Sequence, residues 1–208
     1  MNKQDYLREI YRIQSRNNRP AKVTEISAAL KISSPSVSEM VRKLQKEELV
    51  SFEPFGGVSL TTVGIKEARD VIRRHQLLEV FFNRILRIKT DPHKEVHEME
   101  HTLSEKATDK LDSVLKKPAF CPDGNPIPQK GSNVVKLSQL PGKSKAEVIF
   151  VSAKDKSCLQ RLNSLGFVPQ AKVRVLRRIG NGPLILKVKG CEVALGSDVC
   201  SDIFVEKK

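Results

Sequence analysis

Apolar residues recur every three to four positions along the first half of the chain, a pattern that predicts helices. Residues 3–17 form the first predicted helix. Two shorter helices follow within residues 22–49 and are joined by a tight turn at residues 31–33. Ser34 and Pro35 suit the start of the second short helix, as its N-cap and first helical residue. Two short helices around such a turn predict a helix-turn-helix.

A hairpin is predicted directly after this pair of helices. Residues 50–53 and 58–61 are short strand-like segments, and the two glycines between them favour a turn. Helix pairs are often only structural, but a hairpin in this place is a wing. We therefore expect a winged helix-turn-helix whose second helix enters the major groove of DNA. The residues expected to contact bases or phosphates are Ser33, Pro35, Ser36, Ser38, Glu39, Arg42 and Lys43.

Further helices are predicted between residues 65 and 115, and this stretch holds all four histidines of the chain. One helix carries His75 and Glu79 four residues apart, and Asp91 followed by Pro92 is a favourable start for the next. That next helix has the helix-spaced set His93, His97, Glu100 and His101. Two neighbouring helices would thus offer imidazoles and carboxylates to each other, which predicts a divalent metal site.

Two simpler interpretations of this helical stretch stay open. A single histidine–glutamate pair on a helix is more often a solvated face than a pair of ligands, and a tightly held ion can be structural or sensing rather than catalytic. The predicted helix at about residues 105–115, with Phe81 and Phe82 nearby, could bury its apolar surface against a second copy. The alternative for that surface is an ordinary core within one chain.

The last third of the chain has a different pattern. Residues 129–145 are polar and contain Gly, Ser and Lys, so we expect a linker. Short strands are predicted at residues 147–151, 172–178, 184–188, 192–195 and 203–205, with a helix at about 156–165 that ends at Gly166. Five short strands in about sixty residues suggest a small barrel.

Composition limits the setting in which the protein acts. The 208 residues contain no apolar run near the roughly 20 residues of a membrane span, and the amino terminus is too charged for a signal peptide. The four cysteines are scattered without a C-x-x-C pair, which argues against a zinc knuckle and favours reduced thiols in the cytoplasm.

The net charge of +13 is distributed unevenly along the chain. Residues 131–208 carry 14 basic and 6 acidic residues, a net charge of +8, whereas residues 1–70 carry only +3. The positive excess thus lies away from the predicted DNA-reading helix. The helix-turn-helix, rather than the charge, carries the expectation of DNA binding.

Five stretches of the first 130 residues have a family resemblance. They are DYLREIY, SSPSVSEMVRKL, RRHQLLEVFF, HKEVHEMEHTLS and CPDGNPIP, and with them the chain resembles the diphtheria toxin repressor family of metal-dependent transcriptional repressors. Through LNSLGFVPQAKVRVL and GPLILKVKGCEVALG, residues 146–208 resemble that family's SH3-like third domain, which is itself similar to the ferrous iron transport A domain.

The resemblance implies an α+β multidomain protein. Its parts would be a winged helix-turn-helix DNA-binding domain at residues 1–70, an all-α dimerisation and metal-binding domain at 71–128, the linker at 129–145, and an SH3-like β-barrel at 146–208. The regulatory metal site would consist of Asp5, His97, Glu100 and His101. The ancillary site would consist of His75, Glu79 and His93. In some members the barrel adds ligands at positions that fall near Asp155 and Cys158 here.

The chain departs from both metal types within this family. Iron-type members have methionine at the position of Asp5 and cysteine at that of His97. Manganese-type members have aspartate at the first position, but glutamate at the second and another glutamate where this chain has Arg8. Because a guanidinium cannot bind a cation, the paired manganese site is not expected. A nitrogen-richer ligand set favours Fe²⁺ over Mn²⁺.

The expected function is therefore repression of metal-uptake genes in the cytoplasm, with no catalytic activity and no membrane partner. Fe²⁺ or Mn²⁺ would be the corepressor, other divalent transition metals could substitute, and a homodimer would bind a palindromic double-stranded operator. Three alternatives remain open: a manganese-specific regulator of the same fold, a metal-dependent hydrolase, and a metal-binding adaptor of a transporter whose helix-turn-helix contacts protein.

Overall fold

A computed structural model describes residues 2–54, 56–88, 93–131, 134–153, 156–180 and 182–208. The chain divides into two compact units. The first unit combines Met1–Lys66 with Ser132–Lys208, so the amino-terminal and carboxy-terminal parts of the chain pack together. The second unit is Glu67–Gly131. No helix among the described residues is both long and apolar enough to cross a membrane.

The amino-terminal part of the first unit is a winged helix-turn-helix, as the apolar pattern predicts. It consists of α1 (Lys3–Asn17), α2 (Val23–Leu30), α3 (Ser34–Lys46), β1 (Val50–Glu53) and β2 (Gly57–Leu60). The strands pair antiparallel as the wing. The hydroxyl of Ser33, not that of Ser34, caps α3 by accepting a hydrogen bond from the Ser36 amide, so the helix begins one residue earlier than predicted.

The second unit is helical. The long helix α4 (Thr62–Arg84) enters it and is followed by α5 (His93–Glu100) and α6 (Glu105–Val114). The Ser104 hydroxyl caps α6 by accepting a hydrogen bond from the Ala107 amide at 3.2 Å. Two small apolar clusters hold the unit together, one around Leu77 and Val80 and the other around Leu78 and Val96. The predicted start of α5 at Asp91 and Pro92 lies outside the described residues.

The carboxy-terminal part of the first unit is a six-stranded antiparallel sheet. Its strands are β3 (Val134–Lys136), β4 (Lys145–Val151), β5 (Lys172–Arg178), β6 (Leu184–Val188), β7 (Cys191–Leu195) and β8 (Ile203–Lys207). They lie in the order β3-β8-β4-β5-β6-β7, and among the described residues no pairing joins β3 to β7. The sheet is therefore not closed into the predicted barrel, although its small antiparallel architecture is SH3-like. The helices α7 (Lys156–Ser164) and α8 (Ser197–Ser201) complete it.

Residues 129–145, expected to be a linker, contribute to this sheet. They contain β3 and a 3-10 turn at Leu137–Gln139, and the side chains of Leu137 and Leu140 are buried in the core under the sheet. The polar composition conceals this role because only a few side chains of the stretch point inwards. The domain boundaries at residues 70, 128 and 145 stay predictions.

Candidate metal centre

The α5 helix presents three candidate ligands on one face. His97, Glu100 and His101 are three and four residues apart, which brings side chains together on a helix. One ligand atom from each of the three lies within 4.8 Å of the others. The two imidazole rings meet edge to face with centroids 5.0 Å apart. The helix therefore supplies two nitrogen donors and one carboxylate in a small volume.

Glu100 is the centre of this group. Its side chain is 0% exposed, and its Oε1 lies 2.9 Å from His97 Nδ1 and 3.4 Å from His101 Nε2. Its Oε2 lies 2.6 Å from His75 Nδ1 on α4. A fully buried carboxylate is costly unless it is paired or binds a cation. Three imidazoles around one buried carboxylate form the kind of donor set that binds Fe²⁺, Mn²⁺ or Zn²⁺.

His75 connects the two predicted metal sites. Its Nε2 lies 3.2 Å from Glu79 Oε1, and its Nδ1 faces Glu100. Burial lowers the pKa of His75, but the hydrogen bonds to Glu100 and Glu79 outweigh burial and leave the pKa raised. The residues assigned to separate regulatory and ancillary sites thus form one polar chain from Glu79 through His75 to Glu100.

The other predicted ligands lie in different surroundings. His93 begins α5, but its side chain is not among those described, and Asp155 lies outside the described residues. Cys158 is half-buried on α7 in the first unit. Asp5 is 3% exposed on α1 of the same unit, where its Oδ2 accepts a hydrogen bond from the Asn2 amide at 2.8 Å. Its combination with the ligands of α5 stays a prediction.

A second candidate ligand group was missed by the sequence patterns. Glu79, Cys121 and Asp123 each offer a ligand atom, and these atoms lie within 4.8 Å of one another. Glu79 and Cys121 are buried. Burial raises the pKa of the Cys121 thiol, and the nearby Glu79 charge acts in the same direction, whereas hydrogen bonds from Asn125 and Asp123 oppose this effect without cancelling it. Cys121 and Asp123 belong to an irregular segment with no helical spacing. No signal of spacing could have joined them to a glutamate on α4.

The predicted DNA-contacting residues share the outer face of α3. Ser33, Pro35, Ser36, Glu39, Arg42 and Lys43 are exposed, and Ser38 is half-buried. The Lys43 ammonium lies 2.8 Å from the Glu39 carboxylate, and this exposed pair contributes little to stability. Small hydroxyl side chains at the start of the helix leave room for the close approach of base edges.

A winged helix-turn-helix joined to a helical unit rich in imidazole and carboxylate ligands defines a metal-responsive DNA-binding regulator. Family models agree with this class. Residues 1–58 match the N-terminal DNA-binding domain of iron-dependent repressors, and residues 61–129 match their metal-binding and dimerisation domain. Residues 135–207 match the FeoA domain.

Individual relatives agree as well. The iron-dependent repressor IdeR of Mycobacterium tuberculosis is 29% identical over 220 residues, covering 97% of this chain and 95% of IdeR. The transcriptional regulator MntR of Geobacillus kaustophilus is 34% identical over 112 residues, covering 54% of this chain and 79% of MntR. The solved structure of the manganese regulator SloR matches with a TM-score of 0.58 and 30% identity, covering 100% of this chain and 99% of SloR.

The chain therefore belongs to the diphtheria toxin repressor family and has the FeoA-type third domain. Because the relatives are transcriptional regulators, the hydrolase alternative is set aside and the protein is not an enzyme.

Proposed function

We propose that this protein is a cytoplasmic repressor of metal-uptake genes that uses Fe²⁺ or Mn²⁺ as its corepressor. The observation that carries the proposal is the buried Glu100 carboxylate, faced by the imidazoles of His75, His97 and His101. Such a group is stable when protons or a cation neutralise it. A divalent cation is the ligand that this donor set favours.

The regulatory ion would be held by Asp5, His97, Glu100 and His101, with His75, Glu79 and His93 at the ancillary site. Glu79 also faces Cys121 and Asp123, so we include these two as further candidate ligands of that second site. A divalent ion supplies positive charge that neutralises the clustered carboxylates. The side chains of α4 and α5 fix the orientation of the donor atoms.

Metal would control DNA binding through linkage. Because Asp5 lies on α1 and the other regulatory ligands lie on α5, a shared ion stabilises only the arrangement in which both elements are close. The first helix packs against α2, and α2 in turn packs against the reading helix α3, with Leu7 and Ile10 of α1 and Val41 of α3 fully buried. In a dimer, the position of α1 would then set the spacing of the two reading helices on a palindromic operator. Reciprocity requires operator DNA to tighten metal binding by the same factor.

Arg8 favours iron over manganese in this proposal. Its Nη2 lies 4.0 Å from Asp5 Oδ1, at the position where manganese-type relatives have a second glutamate. The positive charge of the Arg8 guanidinium would repel a second metal ion at this position. The site also has more imidazole donors than a carboxylate-rich site has, and this adds to the preference for Fe²⁺.

The decisive experiment removes the charge of Glu100 while keeping its shape. A duplex selected from a random library with wild-type protein and Mn²⁺ serves as the probe, and fluorescence anisotropy measures its affinity with Mn²⁺, with anaerobic Fe²⁺ and with chelator. We expect Glu100→Gln to abolish the metal-dependent gain. Glu98→Gln, an exposed change on the same helix, is the matched control. Equal affinity of the wild type with and without metal would refute the sensor.

The metal preference has its own test at Arg8. We expect Arg8→Glu to raise the response to Mn²⁺ relative to Fe²⁺, because it places a second carboxylate beside Asp5. Arg16→Glu makes the same charge change at an exposed position of α1 and should leave the ratio of the two responses as it is. An unchanged ratio in Arg8→Glu would mean that Arg8 does not set the preference.

A further inference from the structure

The carboxy-terminal sheet contacts the end of α1. Asn18 follows the last residue of this helix in a left-handed conformation, with φ 51° and ψ 40°, and its side chain is directed into the sheet region. The amide Nδ2 donates to Asn163 Oδ1 at 2.5 Å and to the Phe167 carbonyl at 3.1 Å. The Oδ1 accepts a hydrogen bond from the Val151 amide at 2.7 Å. One side chain therefore makes three hydrogen bonds to the other part of its unit.

The bonds to Phe167 and Val151 are shielded from water. Asn18 is 5% exposed, and Val151 and Phe167 are both 0% exposed. Without the Asn18 side chain, the buried Val151 amide would lose its partner, which is costly in a dry site. An asparagine in the left-handed region is also one of few residues that tolerate that backbone while carrying a polar side chain. The left-handed backbone and the buried hydrogen bonds thus both favour asparagine at position 18.

Two further contacts extend the attachment. The Tyr11 ring on α1 meets the Phe150 ring on β4 edge to face, with centroids 6.4 Å apart. The Ser59 hydroxyl of the wing lies 2.6 Å from the Ser152 hydroxyl. Within the wing domain itself, Gln14 Oε1 accepts a hydrogen bond from the Leu60 amide at 3.0 Å. The sheet region therefore holds both α1 and the wing, which are also joined to each other.

We infer that Asn18 is a positioning residue for the response to metal, and that the FeoA-type domain acts through it. The inference rests on the proposed function, in which the ion binds Asp5 near the opposite end of α1. When the carboxyl end of α1 is fixed to the sheet region, α1, α3 and the wing move together as the amino end of α1 is drawn towards the ion. A helix released at that end can tilt alone, and the displacement is lost before it reaches α3 and the wing.

The test compares coupling ratios in the full-length protein. The ratio is the Kd for the selected duplex without metal divided by the Kd with saturating Mn²⁺. Asn18→Gly is the sharpest variant because glycine accepts the left-handed backbone and removes only the side chain. We expect its ratio to fall about fivefold or more, within the usual range of coupling between sites. Its affinity for Mn²⁺ in the absence of DNA, measured by calorimetry, should stay close to that of the wild type.

Gln170→Gly is the matched control. Gln170 also has a left-handed backbone, with φ 68°, and its side chain is exposed on the sheet region. This variant should keep the wild-type ratio. Should Asn18→Gly prove unstable, Ser152→Ala removes the hydroxyl contact to the wing alone, and we expect a smaller fall in the same direction.

The outcomes separate this inference from the proposed function. A wild type without metal-dependent binding refutes the repressor proposal itself. A wild type that responds to metal, together with an Asn18→Gly variant that keeps the same ratio, leaves the repressor intact and overturns the positioning role.

Discussion

The helical unit and the carboxy-terminal sheet region bury very different side chains. Among the described residues, the sheet region buries 18 apolar side chains in one cluster, and no polar or charged side chain of residues 134–208 is buried. The helical unit has clusters of five and three buried apolar residues. It also buries six polar or charged side chains, which are Arg69, Arg73, Gln76, Glu79, Glu100 and Thr108.

This difference indicates two ways of stabilising a small region. The sheet region has the apolar burial that holds a domain together without help. The helical unit depends more on ion pairs, such as the Arg73 guanidinium 2.8 Å from Asp112 and 3.2 Å from Asp109. Buried charges are weak evidence of stability but are sensitive to a bound cation. The helical unit is the less well packed of the two regions. A metal ion can therefore have a larger effect there than in the sheet region.

The largest expected effect is on the apolar core of the sheet. Leu186 on β6 and Leu77 on α4 are both 0% exposed, so the same truncation can be compared in the two regions. We expect each Leu→Ala change to cost about 2–5 kcal/mol, with Leu186→Ala near the upper end because its large, well-packed core collapses less readily around a cavity. Urea unfolding resolved by amide exchange measures both. A larger loss for Leu77→Ala would contradict the comparison.

Metal should stabilise the helical unit much more than the sheet region. At Mn²⁺ concentrations a hundredfold above Kd, binding adds about 2.7 kcal/mol to any unfolding that releases the ion. We expect amide exchange in α5 to slow by roughly a hundredfold, and exchange in β5 and β6 to change little. Glu100→Gln should remove the protection of α5. Equal protection of both regions would mean that the ion stabilises the chain as a whole.

Much of this architecture could be predicted from periodicity. The helices from α1 to α6 and the wing follow from apolar spacing and caps, since each depends on residues close together in the chain. The strand β3 was missed because three residues are too short to show alternation. The open sheet, too, could not be predicted, because closure depends on how the edge strands meet rather than on their number.

The candidate site shows the same limit. His97, Glu100 and His101 could be found because one helix spaces them, and His75 with Glu79 for the same reason. The contact between His75 and Glu100 depends on how two helices cross, which no pattern within either helix specifies. Cys121 lies on an irregular segment, so its approach to Glu79 is purely tertiary. Resemblance to a family assigns roles to such residues but does not supply their contacts.

The smallest expected effects concern the cysteines, which report on the two regions separately. Cys200 is buried in the sheet region, and burial raises the pKa of its thiol to about 11. At pH 8 only about one Cys200 in a thousand is then a thiolate, the reactive form. Cys191 is exposed, so iodoacetamide should modify it first, with Cys121 and Cys200 far slower. Peptide mass spectrometry follows each site.

Adding Zn²⁺ sharpens this last comparison. If Glu79, Cys121 and Asp123 bind a cation, the ion should occupy the Cys121 sulfur and slow its alkylation further, and Cys200 should react at the same rate as before. Asp123→Asn removes an exposed carboxylate of the group and should cancel the protection. Protection of Cys200 as well would point to a general tightening of the fold. No change at Cys121 would exclude it as a ligand, and the helical unit would then respond to metal through its imidazoles and carboxylates alone.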